Sequence, residues 1–556
     1  MLHKFYVVVD HPDYKQELLE ELQSDSGNES IPNRSVEITN PMPGSEFNST
    51  VLLTEQEADA LISDLRIKDV HRDPYELGIR KVHHGIRANQ SVGGTPSRYD
   101  KSSSMANHYL NWGLIRSTAT TDIFGTLTSV VSSFPYNLDG TGVDVVIIDT
   151  GVEANHVEFT VNPDGTGGSR VVDHDWTQYG YITSAPVGGF LKDCDGHGSH
   201  VASIVAGNTY GWAPGARIYS LRTIGDGTAG PYYDIYPYGY WGAASQNTQE
   251  LGLVDDFEAW QSIRAFHNAK DIDPTTGHKR PTIVNCSFGF IKFYDRVTAI
   301  NYRGTTYSVS TTTGIYGTIG VPEGGIGLHG YRYAALEAEI ASCIDAGVIV
   351  VAAAGNDRHK IDTPGGVDYN NYWTDYEGYS WYYHRGSTPA GTSGVITVGC
   401  IAAATTVSAN PEHKRNFSCA GPRVDIWAPG DYIVGAYGYY YGSGAYNLIS
   451  PYEIFYPAID PGFDDVYNSF WYIQKLSGTS QACPQVVGVL SCFLSARPWI
   501  TPQQARSWTT ATASTWLVDE NYYGGSGYTN FGSLQGGAAK ALWQPFILPD
   551  PLVIRG

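Results

Sequence analysis

Three short segments of this chain each set a reactive side chain in the local context it needs: VVIIDTGVE around Asp149, DGHGSHVA around His197 and LSGTSQACPQV around Ser480. A serine hydroxyl is a weak nucleophile until a neighbouring base takes its proton. An imidazole can be that base, and a carboxylate on its other nitrogen fixes the tautomer and stabilises the imidazolium that forms. Asp, His and Ser in this chain order is one of the arrangements in which the hydrolytic triad recurs on unrelated folds. We therefore expect Ser480 as nucleophile, His197 as general base and Asp149 as the orienting carboxylate of an endopeptidase that works through an acyl-enzyme.

The immediate surroundings sharpen these roles. Asp149 closes an apolar run and precedes Thr-Gly, so it should lie at the carboxyl end of a buried strand, where open α/β sheets carry their active sites. His197 stands between Gly196 and Gly198, which permit close backbone approach, and Val201, Ile204 and Val205 would anchor the helix that starts there. His200 reads as a structural histidine. Ser480 precedes an apolar helical run, and Pro484 reads as a first-turn residue of that helix. Free amides at a helix start favour an anion, so the Ser480 N–H is expected as one oxyanion donor. Asn356 ends VIVVAAAGN, a second buried strand, and its carboxamide is expected as the other donor.

The elements that must hold these residues are legible as periodicity. VDVVIID, ARIYSLRTI, TIVNCSF, VIVVAAAG and GVITVGC are continuous apolar runs, the pattern of strands covered on both faces. They alternate with the helical stretches HVASIVAG, DDFEAWQSIRAFHNA, YAALEAEIASCIDAG and CPQVVGVLSCFLSA. This alternation predicts an α/β domain over 107–556, with a parallel sheet wrapped on both faces. Residues 1–83 read as a small α+β domain of their own. FYVVVD, KQELLEEL, VLL, TEQEADALISDL and IKDVHRDP give a β-α-(β)-β-α-β order, and Thr54 with Glu57 makes a capping box. Residues 84–106 are polar and carry Gly, Pro and Ser, so they are expected as a linker and the place for a processing cut. Four long stretches rich in Tyr, Gly and Trp, roughly 226–248, 290–330, 360–386 and 432–470, show little periodicity. They are expected either to form aromatic loops for protein assembly or to pack back on the core.

Composition narrows the partners. A net charge of −21 over 556 residues argues against nucleic acid and anionic membranes. No segment approaches the roughly 20 apolar residues of a membrane-spanning helix. MLHKFYVVVDHPDYK meets charges after only a few apolar residues, unlike a secretory signal, so cytoplasmic synthesis is expected. The seven cysteines are odd in number, widely spaced and without a CxxC pair, which suits reduced, packed thiols.

Together with DTGVEANHVEF, SIVAGNTYGWAPGARIYSLR, STPAGTSGVITVG and RVDIWAPG, these motifs resemble the subtilisin-like serine proteases, with local wording nearest the proteinase K branch. The resemblance covers roughly 105–515. It implies the three-layer α/β/α subtilisin-like fold and the roles given above to Asp149, His197, Ser480 and Asn356. It also implies that the N-terminal domain is a prodomain, a folding chaperone whose tail inhibits the enzyme within one molecule. Ser287, Phe288 and Gly289 match the segment whose backbone pairs with an extended peptide or protein substrate. No cofactor is required for the chemistry, but Asp425, with the carbonyls of Ser393 and Val395, matches a structural calcium site. Pro389 matches a position that is often a cis proline. Gln481, Cys483 and Gln485 depart from the family's usual residues without removing a reacting atom. A rival reading keeps the fold as a structural scaffold, with activity confined to self-cleavage or lost.

Overall fold

The computed structural model describes residues 1–83, 86–87, 112–117, 138–161, 166–225, 253–308, 319, 327–403, 412–437, 472–515, 517 and 534–543. The chain opens with β1 (His3–Val9), α1 (Tyr14–Gln23), β2 (Ile38–Asn40), β3 (Asn48–Leu53), α2 (Glu55–Leu61) and β4 (Ile67–Arg72). The four strands form an antiparallel sheet in the order β2-β3-β1-β4. Thr54 and Glu57 close the expected capping box at the start of α2. Strand alternation in β1 divides its side chains between two partners. Phe5, Val7 and Val9 enter a core made with Leu18, Leu22, Val51 and Leu61. Tyr6 and Val8 face the rest of the molecule, where Tyr6 stacks on Phe257 with centroids 5.3 Å apart.

The chain then runs through β5 (Arg80–His83), β6 (Ile86–Arg87) and α3 (Trp112–Arg116), whose Arg116 is ion-paired with Glu412, both fully buried. Next come β7 (Asp144–Asp149), β8 (Val171–Val172), α4 (His197–Ala206), β9 (Arg217–Arg222), α5 (Asp256–Asn268) and β10 (Thr282–Cys286). They are followed by β11 (Phe288–Phe293), β12 (Ala299–Tyr302), β13 (Thr305–Ser308), β14 (Leu328–Gly330), α6 (Ala334–Asp345) and β15 (Ile349–Ala353). The last elements are β16 (Tyr372–Thr374), β17 (Ser380–Tyr382), β18 (Ile396–Ile401), β19 (Ile426–Pro429), β20 (Ile433–Tyr437), β21 (Tyr472–Ser477), α7 (Thr479–Ala496) and α8 (Pro502–Ala511).

Seven strands make one parallel sheet in the order β19-β18-β15-β10-β7-β9-β8. Its two faces read off β7. Val145 and Ile147 pack with Val201 and Val205 of α4 and Val486 and Leu490 of α7. Val146 and Ile148 pack with Trp260 and Ile263 of α5 and Leu336 and Ile340 of α6. Helices therefore cover both faces, and apolar residues dominate both sides of the central strands for that reason. The fold is the three-layer α/β/α arrangement.

Part of the Tyr-rich sequence is more ordered than its lack of periodicity suggested. β12, β13, β16 and β17 form an antiparallel sheet, β13-β12-β16-β17, which buries Trp373 and Trp381 in the main core beside Tyr294 and Tyr383. The stretches 226–248, 309–318 and 438–470, and most of the expected linker, lie outside the described residues.

Candidate active site

Asp149 is the last residue of β7, and its carboxylate is sealed from solvent. Oδ1 accepts from the Thr150 N–H at 2.8 Å and lies 2.8 Å from Nδ1 of His197, the first residue of α4. Glycine makes this approach possible. Gly196 has φ +100°, and a Cβ on Gly198 would sit 2.0 Å from the Gly151 carbonyl oxygen. Asp193, which the sequence reading did not single out, binds the junction together. Its carboxylate accepts from Thr150 Oγ1 and the Gly196 N–H, both at 2.8 Å, and from the N–H and hydroxyl of Ser199 at 2.8 and 2.6 Å. The signal available in sequence was a carboxylate shortly ahead of a helix start, although the N-cap itself is Gly196 and has no side-chain cap.

Burial alone would lower the proton affinity of the His197 imidazole. The Asp149 charge and hydrogen bond, aided by Asp195 and Asp193, outweigh it, so His197 titrates above its ordinary value. His200 lies with Nε2 3.2 Å from the Ile433 carbonyl, a structural contact.

Ser480 is the second residue of α7, which packs against α4 and the central strands. Its hydroxyl donates to the Ser287 carbonyl at 2.8 Å, and the Ser287 hydroxyl donates to the Ser480 carbonyl at 2.9 Å. One hydroxyl has one proton to give, so delivery to His197 requires Ser480 to leave this carbonyl. Pro484 is not in the first turn, as the sequence suggested; it is the sixth residue of α7. Without an N–H it leaves the carbonyl four residues back, that of Ser480, without its intrahelical bond. The Ser287 hydroxyl fills that acceptor, so Pro484 and Ser287 together fix the backbone at Ser480.

Asn356 lies just beyond β15. Its Oδ1 accepts from the Thr479 N–H at 3.0 Å and from the Thr479 hydroxyl at 2.9 Å. Thr479 is the second positioning residue the sequence reading passed over. The Asn356 oxygen is thereby held on Thr479, which fixes the orientation of the carboxamide. The peptide bond between Thr388 and Pro389 is cis.

Ser287 links β10 to β11, and Phe288 and Gly289 open β11. One edge of β11 pairs with β14 and the other, antiparallel, with β5: Phe288 is opposite His83 and Gly289 opposite Val82. The strand addition expected of a substrate is made by the chain itself. Beyond it, β6 pairs with β21, placing Ile86 opposite Ser477 and Arg87 opposite Leu476.

The residues assigned to calcium do not fit an ion. Asp425 Oδ2 accepts from Arg423 Nη1 at 2.9 Å, and Oδ1 accepts from Arg506 Nη2 at 2.7 Å. Arg423 Nη2 donates to the carbonyls of Val395 at 2.9 Å and Thr392 at 2.6 Å. Ser393 is exposed. A buried guanidinium thus binds two of the three groups meant for the metal, the Asp425 carboxylate and the Val395 carbonyl. Asp425 and Val395 belong to an ion-pair cluster with Arg423 and Arg506. Among the described residues, no other group of three His, Cys, Asp or Glu is gathered for a metal.

A family model described as the subtilase family matches residues 140–536. An extracellular serine proteinase of Thermus sp. (strain Rt41A) is 26% identical over 374 residues, covering 67% of this chain and 56% of that protein. Alkaline protease 2 of Aspergillus fumigatus is 24% identical over 388 residues, covering 70% of this chain and 51% of that protein. The chain spans about half the length of these curated relatives. The crystal structure of fervidolysin from Fervidobacterium pennivorans, a keratinolytic enzyme related to subtilisin, aligns with 99% of this chain and 62% of its own. The TM-score is 0.50 and the identity 16%, a likeness of fold.

Proposed function

We propose that this chain, which belongs to the subtilase family, is a serine endopeptidase whose first substrate is its own N-terminal tail. Ser480 Oγ attacks the carbonyl carbon of the scissile bond while His197 Nε2 takes its proton and Asp149 steadies the imidazolium. The Ser480 N–H and the Asn356 carboxamide receive the oxyanion. Collapse breaks the C–N bond, His197 returns the proton to the leaving amine, and an ester remains on Ser480. Water, deprotonated by His197, then hydrolyses that ester.

The observation that carries this reading is the register of β5 and β6, residues 80–83 and 86–87. Phe288 faces His83, the last residue of β5, and Ser287 immediately precedes Phe288. Ser477 faces Ile86, the first residue of β6, and Gly478 immediately follows Ser477. Ser287 is hydrogen-bonded to Ser480, and Gly478 lies two residues before it. Ser480 is thus tied to the partners of both strands, and the bond we assign to the first cut is the one between His84 and Gly85, which joins β5 to β6 in sequence. Cleavage there would leave 1–84 docked through its paired strand, an inhibitor of the enzyme that made it.

Intact-mass analysis of the purified wild type beside Ser480→Ala tests the reading. We expect fragments 1–84 and 85–556 in wild type and a single chain in Ser480→Ala. A wild type that stays whole and hydrolyses no peptide would overturn it in favour of a scaffold.

A further inference from the structure

The side chain three residues before His84 is the most telling on the docked tail. Lys81 lies on β5 opposite Phe290, and it is 6% exposed, rare for a lysine. Its ammonium is ion-paired with Asp256, donates to Thr223 Oγ1 at 2.6 Å and sits 4.1 Å above the centre of the Phe288 ring. Asp256, Thr223 and Phe288 are all buried and belong to three separate stretches of the large domain. They form a socket with a carboxylate, a hydroxyl acceptor and an aromatic face, each of which attracts a cation. Asp256 opens α5, just after the N-cap Asp255, whose side chain accepts from the Phe257 N–H at 2.9 Å. Asp255 is pushed up to about 6 by burial and the Asp256 charge. A second carboxylate therefore feels the first, and a cation in the socket relieves both.

We propose that Asp256 sets the specificity of the cleft: it selects peptides carrying lysine or arginine at the fourth residue upstream of the cleaved bond. This rests on the proteolytic reading above and deepens it by naming a substrate class. An apolar side chain at that position desolvates Asp256 without pairing it, whereas lysine brings its own countercharge. A glutamate there meets like charge. The preference resides in the enzyme rather than in the tail, because every group of the socket comes from the large domain.

A competition assay reads this directly. The self-processed full chain is given an equimolar mixture of the decapeptide of residues 79–88, IRKVHHGIRA, and the same peptide with leucine in place of lysine. The ratio of initial rates in one mixture equals the ratio of kcat/KM, whatever fraction of cleft the 1–84 fragment still fills. We expect the lysine peptide to be favoured by about 10- to 100-fold, the scale of losing one partner of a desolvated ion pair that water can partly reach. An arginine peptide should rank with lysine. In Asp256→Asn the ratio should fall to within about threefold of one. In Asp256→Lys a glutamate peptide should overtake the lysine peptide, a gain that misfolding cannot mimic. Equal cleavage of the lysine and leucine peptides by wild type overturns this inference and leaves the protease reading standing. If wild type cuts neither peptide nor itself, both fall together.

Discussion

At the residue scale, His197 is governed by two opposed effects, burial and the Asp149 charge, and the charge prevails. The base must be neutral to take the serine proton, so peptidase activity is expected to fall as pH drops through a value above the ordinary histidine pKa of about 6.5. Asp149→Asn removes the effect that raises the pKa and leaves burial to lower it. We expect that variant to lose about 10⁴-fold in kcat, through the wrong tautomer, and its acid limb to move to lower pH. A pH–rate profile checks both parts; an unshifted limb would break the link between the carboxylate and the base. The residue types of the site were readable because each carries a local signature: a strand end, a pair of glycines, a helix start. Thr479 was not, because its partner Asn356 is 123 residues away, and Asp193 was not, because beside its local bonds to Gly196 and Ser199 it ties in Thr150, 43 residues back. The same is true of Lys81 and Asp256, separated by 175 residues. Nothing in either neighbourhood announces the other.

At the element scale, the site depends on how closely α4 meets the end of β7. Gly198→Ala sets a methyl against the Gly151 carbonyl at the first turn of α4, so the helix must back away from Asp149. Overpacking of this kind costs about 1–3 kcal/mol. We expect a lower midpoint in chemical denaturation and a disproportionate loss of kcat, since the displaced group carries the base. The continuous strands and the long apolar helices were plain in sequence because burial on both faces leaves an unbroken apolar run. β8 and β19 were missed: the first has two residues, and the second ends on Pro429. α8 had a readable start, Thr501 and Gln504 in a capping box with Pro502 between, but its two buried residues gave little periodicity. The strands β12, β13, β16 and β17 were hidden by their glycine-rich neighbours, although Tyr, Trp and Thr favour pleated, half-buried surfaces.

At the scale of the whole molecule, the Arg423 cluster joins the segment before β18 to β19 and, through Arg506, to α8. A covalently attached cation cannot be stripped by a chelator. We expect the thermal midpoint of wild type to be unmoved by millimolar EDTA or calcium, while Arg423→Ala loses about 3 kcal/mol by leaving Asp425 with Arg506, its more exposed cation, as ion-pair partner. If calcium then restores the midpoint of Arg423→Ala, the vacated oxygens can take an ion; a calcium-dependent wild type would refute the cluster's role.

The strand seated beside the nucleophile is joined through β4 to a sheet that docks on α5 and α6 by Tyr6 and Asn48. Its local concentration is therefore set by the architecture and not by how much protein surrounds it. Each molecule would undergo its opening cut as a solitary, first-order event timed from the completion of folding, indifferent to dilution. Only after that event would encounters with other polypeptides begin to matter.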